Sequence, residues 1–454
     1  MTLNIRFLGG ADTVTGSKYC VEHDGKKLLV DCGLFQGYKQ LRLRNWDPCP
    51  LPPKDVSAVI LTHAHLDHSG YLPLLARNGF AGKVHSTAGT RDLCAILLPD
   101  SGHIQEEDAY FANKHGYSKH DPALPLYTQQ DAKYCMQQFH VEKLNEWFQP
   151  LPGWNAKFST AGHILGAASL LLNVAGKCIL FSGDLGRPDD SLMNPPDAPP
   201  QADTVLIEST YGNRSHPEEN VDAELGAALK KVSARGGVAV VPVFAVGRAQ
   251  AILHSIAKLK ASGKIPHGLP VFLDSPMAIH TTALFKRHMG EHRLSAEEVQ
   301  AMDHVATLIE TPEQSKALIK RHGPMVILSA SGMATGGRVL HHLANYVGNH
   351  HNMVILTGFQ SPGTRGASLA SGAATVRLHG KDLPIAAEVV QLSSASAHAD
   401  GNQLLAWLQK MPMPPSQVYV VHGEREASDV LRQRIERELK MRAVVPEHAS
   451  VWPG

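Results

Sequence analysis

Short apolar runs that end in polar, glycine-bearing loops recur from the start of the chain to about Thr210. Lys27-Leu28-Leu29-Val30 leads to Asp31, Ala58-Val59-Ile60-Leu61 leads to His63, and Cys178-Ile179-Leu180-Phe181 leads to Asp184. Brief apolar runs closed by turn formers read as buried strands, so these polar side chains fall at strand ends. The stretch Leu3-Asn4-Ile5-Arg6-Phe7 alternates apolar and polar residues as a half-buried first strand does. From about 211 to 387 the rhythm changes. Val238 to Phe244 precedes a helical pattern over Arg248 to Lys260, and Met325 to Leu328 passes through a glycine-rich turn into a helix over Arg338 to Tyr346. Alternating strand and helix predicts a parallel α/β sheet. The tail resumes the first style, with strands at Glu388 to Leu392 and Val418 to Val421 and helices near Asn402 to Lys410 and Ser428 to Lys440.

Composition narrows the picture. A chain of 454 residues exceeds one ordinary core, so two domains are expected. The 43% hydrophobic and 19% charged residues are a globular balance. Cys20, Cys32, Cys49, Cys94, Cys135 and Cys178 form no C-x-x-C pair and are irregularly spaced, which argues against a zinc ribbon or a disulfide framework and predicts a reducing, cytoplasmic setting. The N-terminus lacks the basic start and apolar stretch of a signal peptide. No apolar run approaches the roughly 18 residues of a membrane span, so no membrane partner is expected. The net charge of +1 is uneven: between Ser209 and Val389, 18 Lys and Arg face 13 Asp and Glu, a net +5 that hints at a polyanion partner.

The chemistry is most concentrated in His63-Ala64-His65-Leu66-Asp67-His68, directly after an apolar strand. Four ligand-type side chains within six residues suit a borderline-soft divalent ion, zinc first and manganese or iron after it. One loop cannot close two metal sites, and further candidates follow later strands: His163 in Gly162-His163-Ile164-Leu165-Gly166, Asp184 in Ser182-Gly183-Asp184-Leu185-Gly186, and His422 before Gly423. Each taken singly also reads as a turn residue flanked by glycine.

In this order the residues resemble the metallo-β-lactamase superfamily and, within it, the β-CASP nucleases. Asp31, the His63 to His68 cluster, His163 and Asp184 match the four superfamily motifs; Glu208 in Glu208-Ser209-Thr210, His398 in Ala397-His398-Ala399-Asp400, and His422 match the three β-CASP motifs. The resemblance implies an α/β fold, a four-layer αβ/βα sandwich over 1–208 and 390–454 with an α/β β-CASP domain inserted at 209–389. It also implies two Zn2+ per chain, with Mn2+ the alternative. His63, His65 and His163 would hold one ion, Asp67, His68 and His422 the other, and Asp184 both, with Asp31 anchoring the metal loop. His398 would be the general acid and Glu208 its orienting partner.

The implied activity is hydrolysis of RNA phosphodiester bonds by a hydroxide activated between two zinc ions, endonucleolytic or 5′-to-3′ exonucleolytic. Motif C carries His422, as the RNA enzymes of the family mostly do. A DNA nuclease is the nearest alternative; a thioesterase or lactonase would not need the cationic insertion, and a scaffold subunit would not need an intact ligand set. Single-stranded RNA is the expected partner, then DNA, a second copy of the chain or an RNA-processing protein.

Three segments of the insertion place glycines and an arginine between strand and helix, where backbone N–H groups can meet phosphate. Arg248 follows Gly247; Ser331, Gly332, Thr335, Gly336 and Arg338 lie in one glycine-rich run; Arg365 closes Gly358-Phe359-Gln360-Ser361-Pro362-Gly363-Thr364-Arg365. A plain turn is the competing reading. His103, His115, His120, His341, His342, His350 and His351 are expected mostly at the surface, and the scattered Trp46, Trp147, Trp154, Trp407 and Trp452 are expected to pack rather than stack on bases.

Overall fold

The computed structural model describes residues 2–116, 118–216, 220–358, 360, 363–392 and 396–454. They form two compact units, Met1–Ser215 with His398–Gly454, and His216–Ala397.

The first unit holds two seven-stranded sheets. One runs in the order Val451–Pro453, Asn4–Gly9, Lys18–His23, Lys26–Val30, Ala58–Ile60, Lys83–Ser86 and Phe139–Val141. The other runs Ala443–Val444, Gln417–Val421, Thr204–Glu208, Lys177–Phe181, Ala168–Val174, Trp154–Thr160 and Trp147–Leu151. Every second residue points inward, as the pleat requires. Ile5, Phe7, Tyr19, Val21, Leu28 and Val30 share one buried cluster with Phe158, Leu170, Leu172, Ile179, Phe181 and Leu206. Each such side chain contributes about 1.5–3 kcal/mol. The intervening Leu29, Val59, Leu171, Leu180 and Val205 are buried too, because helices such as Ala88–His115 and Arg425–Arg434 pack outside. The result is a four-layer αβ/βα sandwich.

Lys26–Val30 and Ala58–Ile60 run parallel, as do Lys177–Phe181, Thr204–Glu208 and Gln417–Val421. Parallel neighbours finish on the same sheet edge, where the loops carrying Asp31, His63, Asp184 and His422 begin and Glu208 ends its strand. Among the described residues no helix is long and apolar enough to cross a membrane.

The second unit carries a six-stranded, all-parallel sheet in the order Thr307–Leu308, Val271–Asp274, Met325–Ser329, Val238–Pro242, Met353–Leu356 and Glu388–Gln391. Glu388–Gln391 is thus an edge strand of this sheet, not the return to the first unit that its pattern suggested. The change of unit comes at His398 rather than 390. At the other end 209–215 stays with the first unit: the Ser209 hydroxyl donates to the Val421 carbonyl and the Thr210 hydroxyl to that of His422.

His342, expected at the surface, is fully buried. Its Nε2 lies 2.6 Å from Asp274 Oδ2, which also accepts from the Ser315 hydroxyl at 2.5 Å, while Asp274 Oδ1 accepts from Arg338 Nη1 at 2.7 Å. The other named histidines are exposed. Trp154 and Trp407 are buried, whereas Trp46 and Trp147 are over half exposed.

Burial pushes the Asp274 carboxyl up, but its bonds from His342, Ser315 and Arg338 outweigh that and hold it below the usual carboxylate range. A depressed carboxyl stabilises the fold above its ordinary pKa of about 3.9 and loses that contribution as pH falls through the native value. Asp274→Ala should destabilise the second unit by about 3–5 kcal/mol, since it strands a buried histidine and an arginine; thermal unfolding at neutral pH checks the loss, which should shrink in acid.

Candidate metal centre

Asp184 is the hub. Its Oδ2 lies 3.5 Å from His63 Nε2 and 3.7 Å from His163 Nε2, and both imidazole nitrogens lie 3.2 Å from His65 Nδ1. Its Oδ1 faces the other way, 3.3 Å from His68 Nε2 and 3.5 Å from His422 Nε2, and the latter is 3.9 Å from Asp67 Oδ2. The seven candidate ligands therefore gather into two groups, with one oxygen of Asp184 turned to each.

The outward ring nitrogens are also held. Asp31 accepts from the Thr62 backbone N–H at 2.8 Å and lies 2.8 Å from His68 Nδ1. The Thr62 hydroxyl is 3.1 Å from His63 Nδ1. Ser17 Oγ is 2.8 Å from His422 Nδ1. Anchoring one nitrogen so that the other faces inward is what a metal-binding histidine needs. Sequence reasoning missed Thr62 and Ser17, because a hydroxyl beside a strand carries no spacing signal. Ser17 is 405 positions from His422.

Asp31 and His422 both have positive φ, 60° and 49°, an uncommon backbone state for residues with a Cβ. Their N–H groups donate to the Ile60 and Gly10 carbonyls at 2.9 and 2.7 Å, which helps hold these turns. Gly33 is required for a different reason: a Cβ there would sit 1.6 Å from the Asp67 carbonyl oxygen. The Asp31 loop thus packs directly beneath the metal loop.

Burial keeps His63 well below its ordinary pKa and His65 and His422 down to about 4, so each is neutral with a lone pair available. Burial would lower His68 as well, but Asp184 and Asp31 on either side raise it. Burial would likewise raise Asp184, yet His422, His68 and His63 hold it well below the carboxylate range. His68 Nε2 and Asp184 Oδ1 are buried without a hydrogen bond among the described residues, though only 3.3 Å apart. Two such atoms facing each other, amid nitrogen and carboxylate donors, fit a divalent cation.

Beside the hub, His398 Nδ1 lies 3.2 Å from Glu208 Oε1, and its ring is 4.3 Å from that of His163. The buried Glu208 is fixed by the Leu185 N–H, which donates to Oε1 at 2.7 Å. Burial would lower the His398 pKa; Glu208, then Asp184, outweigh it and raise it.

The metallo-beta-lactamase superfamily matches residues 12–219, the Beta-Casp domain 249–369, and the Zn-dependent metallo-hydrolase RNA specificity domain 382–446. Ribonuclease TTHA0252 of Thermus thermophilus is 36% identical over 92% of both chains. The chain belongs to the β-CASP family of the metallo-β-lactamase superfamily. The RNase J-like protein of Methanocaldococcus jannaschii is 30% identical over 99% of both chains. A protein of unknown function from Enterococcus faecalis V583 shares the fold over the full length of both chains, with a TM-score of 0.53 at 13% identity.

The candidate phosphate contacts of the β-CASP insertion make bonds within the second unit. Arg338 is committed to Asp274 and to the Ile309 and Glu310 carbonyls. Arg365 donates to the carbonyls of Arg377, Ala334 and Thr335. The Ser331 hydroxyl accepts from the Thr335 and Gly336 N–H groups at 3.0 and 3.3 Å. Gly332 leaves room for the Phe244 ring, which a Cβ would approach to 2.7 Å. These contacts brace the glycine-rich turn. Arg248 opens the helix Arg248–Ala261. Phe359, Ser361 and Pro362 of the third segment lie outside the described residues.

Because Ser17 orients His422, Ser17→Ala should weaken metal binding about 10- to 100-fold while leaving the fold intact; titration against a chromophoric chelator measures it.

Proposed function

We propose that this chain is a metal-dependent ribonuclease that hydrolyses single-stranded RNA. The observation that carries the reading is the double cluster sharing Asp184 with the Glu208–His398 pair at its side. The relatives named as a ribonuclease and as RNase J-like support RNA as the polymer. Two divalent ions, zinc by the nitrogen-rich donor set, would be held by His63, His65, His163 and Asp184 and by Asp67, His68, His422 and Asp184, and would supply Lewis-acid polarisation of phosphate and water.

The protein's own groups do the rest. Asp184, with an oxygen toward each group, fixes their separation. Glu208 holds Nδ1 of His398, which leaves Nε2 as the nitrogen that gives its proton to the departing oxygen. Asp31, Thr62 and Ser17 keep three imidazoles from rotating. We infer a reducing cytoplasmic setting, supported by six free cysteines, four of them buried.

The test pairs matched single-stranded RNA and DNA oligonucleotides with the zinc-loaded protein. RNA should be cleaved, and His398→Ala should lower kcat about 10²- to 10⁴-fold, the usual contribution of a general acid, with metal content unchanged. Cleavage of DNA alone would move the protein to a DNA-acting role, and inertness toward both polymers would sink the nuclease reading.

A further inference from the structure

The metal loop is bonded directly to a segment that no ligand or motif uses. Leu34 N–H donates to the Leu66 carbonyl at 2.8 Å, one residue before Asp67. The chain then makes a loop whose ends are clipped by a single side chain: the Phe35 N–H donates to Asn45 Oδ1 at 2.9 Å and Asn45 Nδ2 donates to the Phe35 carbonyl at 2.8 Å. Gln36 N–H donates to Thr15 Oγ1 at 2.9 Å. The loop is therefore a built projection, with a short helix, Lys39–Leu43, at its crest.

What it projects is unusual for a solvated surface. Tyr38 is 51% exposed, Leu43 52% and Trp46 57%. Between them stand Lys39, Arg42 and Arg44, and no acidic residue occurs between Asp31 and Asp47. The helix Lys39–Leu43 buries none of its residues, so it is not held out by a core of its own. Aromatic faces exposed among cations match the two things a single strand offers, base π-faces and phosphates. A solvated helix needs the cations but not the aromatics, and a protein-facing patch needs the aromatics but is usually poor in lysine.

We propose that Tyr38 to Trp46 is a stacking platform for single-stranded RNA at the rim of the metal centre. The inference rests on the ribonuclease reading and deepens it. Tyr38 is four residues from Leu34, so its Cα lies within about 14 Å of a residue bonded to the metal loop. That is about four stacked nucleotides. Strand that extends past the cleaved bond would meet Trp46 and Tyr38 through its bases and Lys39 and Arg42 through its phosphates. The contact is independent of base identity, as every base has a face to stack.

The full-length chain carrying His398→Ala, so that the probe survives, is mixed with an oligouridylate of about 12 nucleotides, within the usual site size for such surfaces. Tryptophan fluorescence should be quenched on binding. Trp46→Ala should remove most of the quenching and weaken binding about 30-fold, the middle of the range for one lost stack. Trp147→Ala, the other strongly exposed tryptophan, should do neither. Lys39→Ala with Arg42→Ala should weaken binding and lower the slope of affinity against salt by about 1.4. In the chain that keeps His398, KM for long RNA should rise with the Tyr38 and Trp46 changes while kcat holds. Wild-type cleavage of RNA with unaltered affinity in the Trp46 and Lys39/Arg42 variants would overturn the platform and leave the ribonuclease standing. Absence of RNA binding by the starting protein would overturn both. A dimer that becomes monomeric in Trp46→Ala, with RNA affinity unchanged, would make the patch a contact between copies and overturn the proposal as well.

Discussion

Everything in the first unit is arranged around one buried carboxylate. Asp184 is almost without solvent contact, and a charge so placed is costly unless surrounded by partners. Its partners are four imidazoles from three separate strand ends: His63 and His68, His163, and His422. Two oxygens facing two groups impose a fixed spacing on them, which a single-oxygen donor would not. The parallel course of the central strands makes this convergence possible, because it delivers those loops to one edge of each sheet.

That convergence is enforced by a ring of less conspicuous groups. Asp31 ties Thr62 and His68 together, Ser17 reaches His422, and Gly33 lets the Asp31 loop lie flat against Asp67. The positive φ of Asp31 and His422 points the same way: strain at a site persists only where surrounding bonds determine the backbone. A site built so rigidly orients its groups before substrate arrives, which is how positioning lowers a barrier.

The second unit follows the same logic with a different centre. Asp274 gathers Ser315, Arg338 and His342 and so ties the strand Val271–Asp274 to the helix Val339–Tyr346 and to the glycine-rich turn before it. Arg338, a candidate for phosphate from its place in the sequence, is bonded to this buried carboxylate. The turn's N–H groups at 335 and 336 are likewise satisfied from within by Ser331.

The sequence by itself determined the strand ends and the crowding of His63 to His68, because periodicity and ligand crowding are local properties of a chain; the sandwich with its insertion and the ligands His163, Asp184 and His422 came through the resemblance to a family. It also determined the family, since the motifs stand in order along the whole length. Only the tertiary structure decided that the Asp184 oxygens face opposite ways and that Ser17 and Thr62 support the imidazoles. The same holds for the fate of Arg338 and His342, and for the sheet to which Glu388–Gln391 belongs. Apart from Thr62, which neighbours His63, each of these depends on a partner tens to hundreds of positions away, and a hydroxyl, an arginine or an edge strand has the same local signature whichever partner the fold supplies. Composition marked Trp46 as one scattered tryptophan among five; the clipped loop of Phe35 to Asn45 is what sets it beside cations and near the metal loop.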